Sequence, residues 1–287
     1  GAGAVMAVSG IGVTVGVIAS FVTYTRQFFR PINQLSNLLN TFQSAVAGAE
    51  RVFEILDEQE EKMDEQGAIR TTGLTGDVVL EDVHFEYIPG KPVLRGINLH
   101  ARPGETVAIV GPTGSGKTTI IQLLTRFYDV TSGRILLDGR NMSDYAMENV
   151  RDHVGILLQD TYLFSGTVRE NIRFGRLDAT DEEVEEAAKI AYAHNFIKYL
   201  PEQYETVLVS GGMNLSQGQR QLIAIARAIL EDPDILILDE ATSSVDTMTE
   251  VHIQKGLNNL MNGRTSFVIA HRLKTIENAD QILVIKE

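Results

Sequence analysis

Cysteine is absent from this chain of 287 residues, and basic residues are scarce relative to acidic ones. The missing thiols exclude disulfides, thiolate zinc sites and cysteine catalysis. The chain has 25 lysines and arginines against 38 aspartates and glutamates, which gives a formal net charge of -13 at pH 7. Because nucleic-acid binding is built on clustered Lys and Arg, this balance argues against a nucleic-acid partner. With 44% hydrophobic residues, the chain can bury one large core or two smaller ones.

Charge is also missing from the beginning of the chain, where no Asp, Glu, Lys, Arg or His precedes Arg26. The stretch lacks the charged region and the cleavage site of a secretory signal. We therefore expect it to be embedded in a membrane. Because one span needs about 20 apolar residues, a break near Gly10 and Gly12 would leave the tail of one span and the start of another. A buried helix of a soluble protein is the alternative.

Apolar residues recur at alternating spacings of four and three through the next segment. They are Phe28, Ile32, Leu35, Leu39, Phe42, Val46, Ala49, Phe53 and Leu56. This heptad pattern predicts a long helix that packs against other helices, with a kink at Pro31 as one option. An ordinary amphipathic core helix is the alternative. Acidic residues then crowd the segment between Asp57 and Glu65, which predicts a linker over residues 57–75.

A glycine-rich run directly behind the apolar residues 107–110 fits the phosphate-loop pattern G-x-x-x-x-G-K-[ST]. Its residues are Gly111, Pro112, Thr113, Gly114, Ser115, Gly116, Lys117 and Thr118. Glycines let backbone N–H groups close around phosphates, Lys117 can reach the β- and γ-phosphates, and the Thr118 hydroxyl can ligate Mg²⁺. A helix that begins near Lys117 would add its positive end. A glycine-rich turn with a surface lysine is the alternative.

The residues from 76 onward predict one domain with both strands and helices. We expect antiparallel strands at 77–87 and 93–100, a buried parallel strand at 107–110, a helix at 118–128 and strands at 133–138, 235–238, 266–270 and 281–285. Residues 141–200 are predicted to be mostly helical. Within them, Thr180 and Glu183 form a capping box before a helix that runs through Ala193.

Two carboxylates, Asp239 and Glu240, follow the predicted strand 235–238. The carboxyl end of a buried parallel strand is where α/β sheets bind ligands. Asp239 is expected to anchor Mg²⁺, and Glu240 to polarise a water for attack on the γ-phosphate. Two acids that cap the next helix are the alternative.

A second glycine-containing turn, residues 215–219, precedes a helix with an apolar face. That face consists of Leu222, Ile223, Ala226, Ile229 and Leu230. The turn reads Leu-Ser-Gln-Gly-Gln, and the positive end of its helix is another anion site. At this point the chain resembles the ATP-binding cassette (ABC) family, whose signature reads L-S-G-G-Q and whose other motifs occur here in the expected order. The resemblance covers the chain from Asp77 to its end.

The resemblance implies an α/β fold, with the P-loop NTPase core of ABC ATPases, an antiparallel β subdomain and a helical subdomain, preceded by a transmembrane and long cytoplasmic helix. Residues 1–56 would be the C-terminal part of a transmembrane domain, 57–75 the acidic linker and 76–287 a nucleotide-binding domain with a truncated C-terminus. The chain would then be a fragment of an exporter half whose other spans precede residue 1.

The resemblance also implies roles for single residues. Tyr87 matches the aromatic residue that stacks on adenine, and Gln159 matches the glutamine that joins the metal shell. Residues 243–246 resemble the D-loop, which ends in Asp246, and His271 matches the switch histidine at the γ-phosphate. The catalytic residues would be Glu240, His271 and Lys117. The metal would be bound by Thr118, Gln159 and Asp239. The nucleotide would also contact Thr119.

In this family, ATP is clamped between the phosphate loop of one subunit and the signature helix of the other. Ser216, Gly218 and Gln219 would therefore serve a second nucleotide-binding domain, in a homodimer or a heterodimer, with ATP and Mg²⁺ as cofactors. The expected location is the cell membrane, among lipids, with the nucleotide-binding domain on the cytoplasmic side. The expected cargo is a small molecule such as a drug, a lipid or a peptide.

Two positions depart from the family pattern. Gln217 stands at the second signature glycine, and Ser210 lies near the position where many relatives carry a glutamate, which bears on communication between subunits. Two other functions stay open on the sequence, namely a soluble cassette ATPase and a nucleotide-gated clamp that binds ATP without turnover.

Overall fold

A computed structural model of the chain describes residues 14–58, 67–158, 161–239, 246–270 and 276–286. The chain divides into two compact units, Gly1–Met63 and Asp64–Glu287. Among the residues that the structure describes, the first unit contains one long helix and the second contains every strand.

Helix α1 (Val15–Leu56) begins at Thr14, whose hydroxyl accepts a hydrogen bond from the Val17 N–H at 3.3 Å. It is 42 residues long and continues through Pro31, so the predicted long helix is confirmed. None of its residues is buried, and the apolar heptad positions, such as Phe42, lie at the surface of the described chain.

The structure does not confirm the predicted membrane span. Among the described residues, no helix combines the length and the apolar character that crossing a bilayer requires. Residues 1–13, which carry about half of the uncharged stretch, lie outside the described residues.

The second unit contains an antiparallel sheet with the strand order β2-β1-β4-β5. Its strands are β1 (Val78–Ile88), β2 (Lys91–Ala101), β4 (Ser132–Leu137) and β5 (Arg140–Asn141). The predicted strands at 77–87, 93–100 and 133–138 are therefore confirmed. Val78 pairs with Ala101 on one side and with Leu137 on the other, so β1 is the strand that holds this sheet together.

A five-stranded parallel sheet with the order β11-β3-β10-β9-β6 lies at the centre of the second unit. Its strands are β3 (Thr106–Val110), β6 (Val154–Leu157), β9 (Ile235–Asp239), β10 (Thr265–Ile269) and β11 (Gln281–Val284). Phe267 of β10 pairs with Val107 on one side and Ile237 on the other.

Both faces of this sheet are buried, as we predicted for strands 235–238 and 266–270. Ile235 and Ile237 belong to a core shared with the antiparallel sheet, whereas Leu236 and Leu238 belong to a core shared with the helices. Successive strand residues point to opposite faces, so a single strand contributes to two cores.

The helices of the second unit lie between and after these strands. They are α2 (Lys117–Leu124), α3 (Met147–Asp152), α4 (Val168–Arg173), α5 (Asp181–Ile190), α6 (His194–Ile197), α7 (Gln217–Glu231) and α8 (Thr247–Met261). Short 3₁₀ turns cover Met142–Asp144, Gln203–Glu205 and Ser210–Gly212, and the short strands Gly166–Thr167 (β7) and Val207–Leu208 (β8) pair with each other. The predicted capping box of Thr180 and Glu183 is present at the start of α5.

Three local predictions differ from the structure. Residues 154–157, placed in a helical region, form β6, because an apolar run of four residues has too few positions to distinguish a strand from a helix by period. Helix α2 stops at Leu124 rather than at 128, and α5 stops at Ile190 rather than at 193. Arg126 and Tyr192 take positive φ angles of 55° and 61° just beyond these ends, a left-handed conformation that helices commonly adopt where they terminate.

Residues 67–76, which we call the strap, hydrogen-bond to the domain that follows them. The Thr71 N–H donates to Oδ1 of the buried Asn149 at 2.8 Å, and Nδ2 of Asn149 donates to the Thr71 carbonyl at 2.9 Å. Further along, the Leu74 N–H donates to Asp234 at 2.9 Å. The strap therefore connects to α3 and to the start of β9.

We predict that Asn149→Ala lowers the free energy of unfolding by about 1–3 kcal/mol, because it removes the acceptor of the Thr71 N–H and the donor to the Thr71 carbonyl, which keeps only its 3.2 Å contact with Nε2 of His153. Trypsin should then cut faster after Arg70, and gel analysis of timed digests would measure this. Glu148→Ala is the matched control, since it breaks an exposed ion pair with Arg70 worth about 0–1 kcal/mol. Equal digestion rates for the two variants would contradict the role of Asn149.

Candidate functional site

The glycine-rich loop connects β3 to α2 at the carboxyl end of the parallel sheet. Gly116 is the residue before the helix and has φ 100° and ψ 10°, a conformation that residues with a Cβ rarely adopt. No side chain caps the first turn. The backbone N–H groups at the start of α2 are therefore available to an anion.

The Lys117 side chain folds back over the loop. Its Nζ donates to the Gly111 carbonyl at 2.9 Å and to the Pro112 carbonyl at 2.8 Å. Both carbonyls belong to the loop itself, so the ammonium group lies on the loop that the sequence assigns to phosphates.

An open cavity of about 410 Å³ adjoins the loop. It is lined by Tyr87, Val93, Thr113, Gly114, Gly116, Lys117, Thr118, Thr119, Asp239 and Ile269. Most of these residues are ones that the sequence assigned to the nucleotide or its metal. They come from both sheets, because Tyr87 and Val93 lie in β1 and β2, Asp239 and Ile269 end β9 and β10, and the others belong to the loop and the start of α2.

Sequence reasoning missed Val93 and Ile269. Each is an apolar residue within a strand, and that pattern is typical of ordinary core positions, so no signal in the sequence distinguishes them. Val93 lies on β2 and reaches the cavity only because the antiparallel sheet packs beside the loop.

Both the hydroxyl group and the aromatic ring of Tyr87 make contacts that fix the side chain. Its hydroxyl lies 3.1 Å from Oγ1 of Thr119 and also donates to Gln122. Its ring makes edge-to-face contacts with Phe85 and Tyr128, with centroid distances of 4.8 and 5.3 Å. The residue is nevertheless 46% exposed, so part of the ring faces the cavity.

Thr118 and Asp239 line the same cavity, on the loop helix and on β9 respectively. Mg²⁺ in nucleotide sites is bound by one or two protein oxygens together with phosphates and water. A hydroxyl and a carboxylate beside a phosphate loop match that donor set. These two residues therefore fit a magnesium ion that enters with a nucleotide.

The signature residues lie apart from this cavity, at the start of α7. The Ser216 hydroxyl accepts a hydrogen bond from the Gln219 N–H at 3.2 Å, and Oε1 of Gln219 accepts from the Ser216 N–H at 3.0 Å. Gly218 is buried next to this capping box. Ser216 itself is exposed at the helix tip, and none of residues 215–219 lines the cavity beside the phosphate loop.

Asp246 caps α8 and accepts a hydrogen bond from the Thr249 N–H at 3.0 Å. The backbone hydrogen bond from Thr249 lowers the pKa of the Asp246 carboxyl, because it favours the charged form. The structure thus gives Asp246 a helix-capping contact. Gln159, Glu240, residues 243–245 and His271 lie outside the described residues.

The family model described as "ABC transporter" matches residues 94–243, a range that contains the loop, Asp239 and the signature turn. The chain belongs to the ABC transporter family. It contains the nucleotide-binding ATPase domain of that family, with the ABC ATPase fold predicted from the sequence.

Named relatives agree with this assignment. The chain is 54% identical to the ABC transporter ATP-binding protein YfiC of Bacillus subtilis, over 96% of this chain and 45% of that protein. It is 51% identical to a fatty acid ABC transporter ATP-binding/permease protein of Mycobacterium bovis, over 96% of this chain and 43% of that protein. The chain spans about half the length of the curated relatives it matches.

A solved structure is similar over almost the whole chain. It is described as a bacterial Atm1-family ABC exporter with ATP bound, and it matches with a TM-score of 0.75 and 38% identity. The match covers 96% of this chain and 48% of that one.

We predict that Gly116→Ala weakens ATP binding strongly. A Cβ at this position would lie 2.8 Å from Cδ2 of Leu94, and the positive φ would add strain of about 1–2 kcal/mol. Gly139→Ala is the control, since its φ is also positive but nothing lies within 4 Å of the added Cβ. Titration with a fluorescent ATP analogue would test this, and equal affinities for the two variants would refute it.

Proposed function

We propose that this chain binds Mg²⁺-ATP in the cavity beside the glycine-rich loop and hydrolyses it. The proposal rests on one observation, which is that a single cavity is lined by Tyr87, Lys117, Thr118 and Asp239. In this assignment the Tyr87 ring stacks on adenine, and the loop and Lys117 hold the phosphates. Thr118 and Asp239 hold the metal, with Gln159 as a further ligand from the sequence. Bound Mg²⁺ would neutralise charge on the phosphate oxygens.

Hydrolysis requires a group that orients water and accepts its proton. We assign this role to Glu240, which directly follows the proposed metal ligand Asp239 at the carboxyl end of β9. His271 is assigned to the γ-phosphate and follows β10, the strand that pairs with β9. Both assignments rest on sequence position, since neither side chain is among the described residues.

We further propose that ATP closes a dimer of two nucleotide-binding domains. The signature turn supports this, because its exposed Ser216 and the start of α7 lie away from the phosphate cavity of the same chain. A second domain, from an identical or a different chain, would bring its own loop to Ser216, Gly218, Gln219 and Asp246. Loss of the γ-phosphate contacts would then favour opening.

The whole protein is proposed to be an ABC exporter in the cell membrane, with this domain on the cytoplasmic side. Relatives described as fatty acid transporter, lipid A-core flippase and putative multidrug exporter support it. The cargo in this proposal is a lipid, a drug-like small molecule or a peptide.

Lys117→Ala should weaken ATP binding, because it removes a positive charge that approaches the phosphates in the ground state and in the transition state alike. Isothermal titration calorimetry with ATP would measure the loss. Lys189→Ala is the charge-matched control, since Lys189 pairs with Glu186 on the exposed surface of α5. Unchanged affinity in the Lys117 variant would count against the loop assignment.

Glu240→Gln should reduce ATP turnover by about two orders of magnitude or more while ATP still binds, since it removes the group that accepts the proton. The variant should also accumulate as an ATP-dependent closed dimer. Phosphate-release assays and size-exclusion chromatography with ATP, on the full transporter, would measure both. Glu182→Gln, an exposed change on α5, is the control. A wild-type rate in the Glu240 variant would remove the assignment.

A further inference from the structure

Gln122 lies on helix α2, which follows the glycine-rich loop, but it is not among the described residues that line the cavity beside that loop. Its side-chain oxygen Oε1 accepts a hydrogen bond from the Tyr87 hydroxyl. Tyr87 does line the cavity. A ligand in the cavity would therefore sense Gln122 through Tyr87 rather than by direct contact.

The Tyr87 hydroxyl is held by two side chains of α2. Thr119 and Gln122 are three residues apart, so they lie on the same face of the helix. Oγ1 of Thr119 is 3.1 Å from the Tyr87 hydroxyl oxygen. A tyrosine hydroxyl has one proton to donate, and that proton goes to Gln122, so the Thr119 hydroxyl is the donor in the second contact. Of the two partners, Gln122 is the one that accepts.

This contact orders a side chain that faces the cavity. Tyr87 is 46% exposed, and an exposed side chain that becomes ordered only when a ligand binds lowers the affinity for that ligand. The hydrogen bond to Gln122 orders the ring beforehand. Since Lys117 and Thr118 belong to the same helix, the contact also fixes the position of the ring relative to the proposed phosphate and metal groups.

We propose that Gln122 is a positioning residue for Tyr87, which holds the ring in the orientation that stacks on the base before a nucleotide arrives. The inference rests on the proposed function, because it requires that Tyr87 stacks on adenine. Ordering the ring in advance raises the affinity for the base and leaves the phosphate contacts unchanged. A probe with a base and a probe without one therefore distinguish this role from general damage to α2.

The test is isothermal titration calorimetry of the full chain with two probes in the presence of Mg²⁺, a non-hydrolysable ATP analogue and inorganic tripolyphosphate. Gln122→Leu should weaken binding of the analogue by about three- to tenfold, the fold-change that corresponds to the net loss of one hydrogen bond. Binding of tripolyphosphate should be unchanged, because it has no base. Equal losses for both probes, or no loss for the analogue in a folded variant, would overturn the inference.

A double-mutant cycle with Tyr87→Phe tests whether Gln122 acts through the hydroxyl. Phenylalanine keeps the ring but cannot donate to Gln122, so Tyr87→Phe alone should weaken the analogue by a similar factor. Adding Gln122→Leu to Tyr87→Phe should then cause no further loss, since residues that act through one contact are not additive. Losses that multiply in the double variant would contradict the proposed role.

Asn195→Leu is the control, because it replaces an exposed amide on α6 with leucine and should leave the affinity for both probes unchanged. Gln122→Met serves as the second variant if leucine lowers the melting temperature, since methionine is unbranched and adapts to its surroundings. Wild-type affinity for the analogue in the Gln122 variants would overturn the inference and leave the proposed function intact. A wild-type chain that binds neither probe would contradict the proposed function itself.

Discussion

The alternation of buried residues along the central parallel strands is the constraint on which the site depends. Ile235 and Ile237 pack into one core while Leu236 and Leu238 pack into the other, so β9 is fixed from both faces. A strand held in this way has little freedom at its carboxyl end. Asp239 therefore reaches the cavity from a strand that is packed on both faces, as the proposed metal and triphosphate site requires.

The loop and the antiparallel sheet complete the site from two other directions. The loop follows β3, which is separated from β9 only by β10, and it brings Lys117 and Thr118 toward Asp239. The antiparallel sheet contributes Tyr87, whose hydroxyl is anchored on Thr119 of α2. The Tyr87 hydroxyl thus connects the aromatic ring to the helix that follows the glycine-rich loop, which would keep a fixed spacing between the proposed base and phosphate contacts.

In the proposed dimer, the signature helix would extend this arrangement to a second nucleotide. Its tip is shaped by the reciprocal hydrogen bonds of Ser216 and Gln219, which hold the turn before any partner arrives. Its buried side packs against the same sheet that carries Asp239.

Much of this domain followed from the sequence alone. The phosphate loop, the capping box of α5, the long helix α1 and the carboxylate at the end of β9 all depend on local spacing, which a single sequence displays directly. The same holds for most strands, whose apolar alternation is local. The strand at residues 154–157 was missed, because four apolar residues between helical segments carry no usable period.

Only the tertiary structure decided which residues share a cavity. Val93 and Ile269 look like core positions in the sequence, and they line the site because two sheets pack beside one loop. Local spacing determines elements and motifs, whereas burial and the contacts between distant residues arise only when those elements pack.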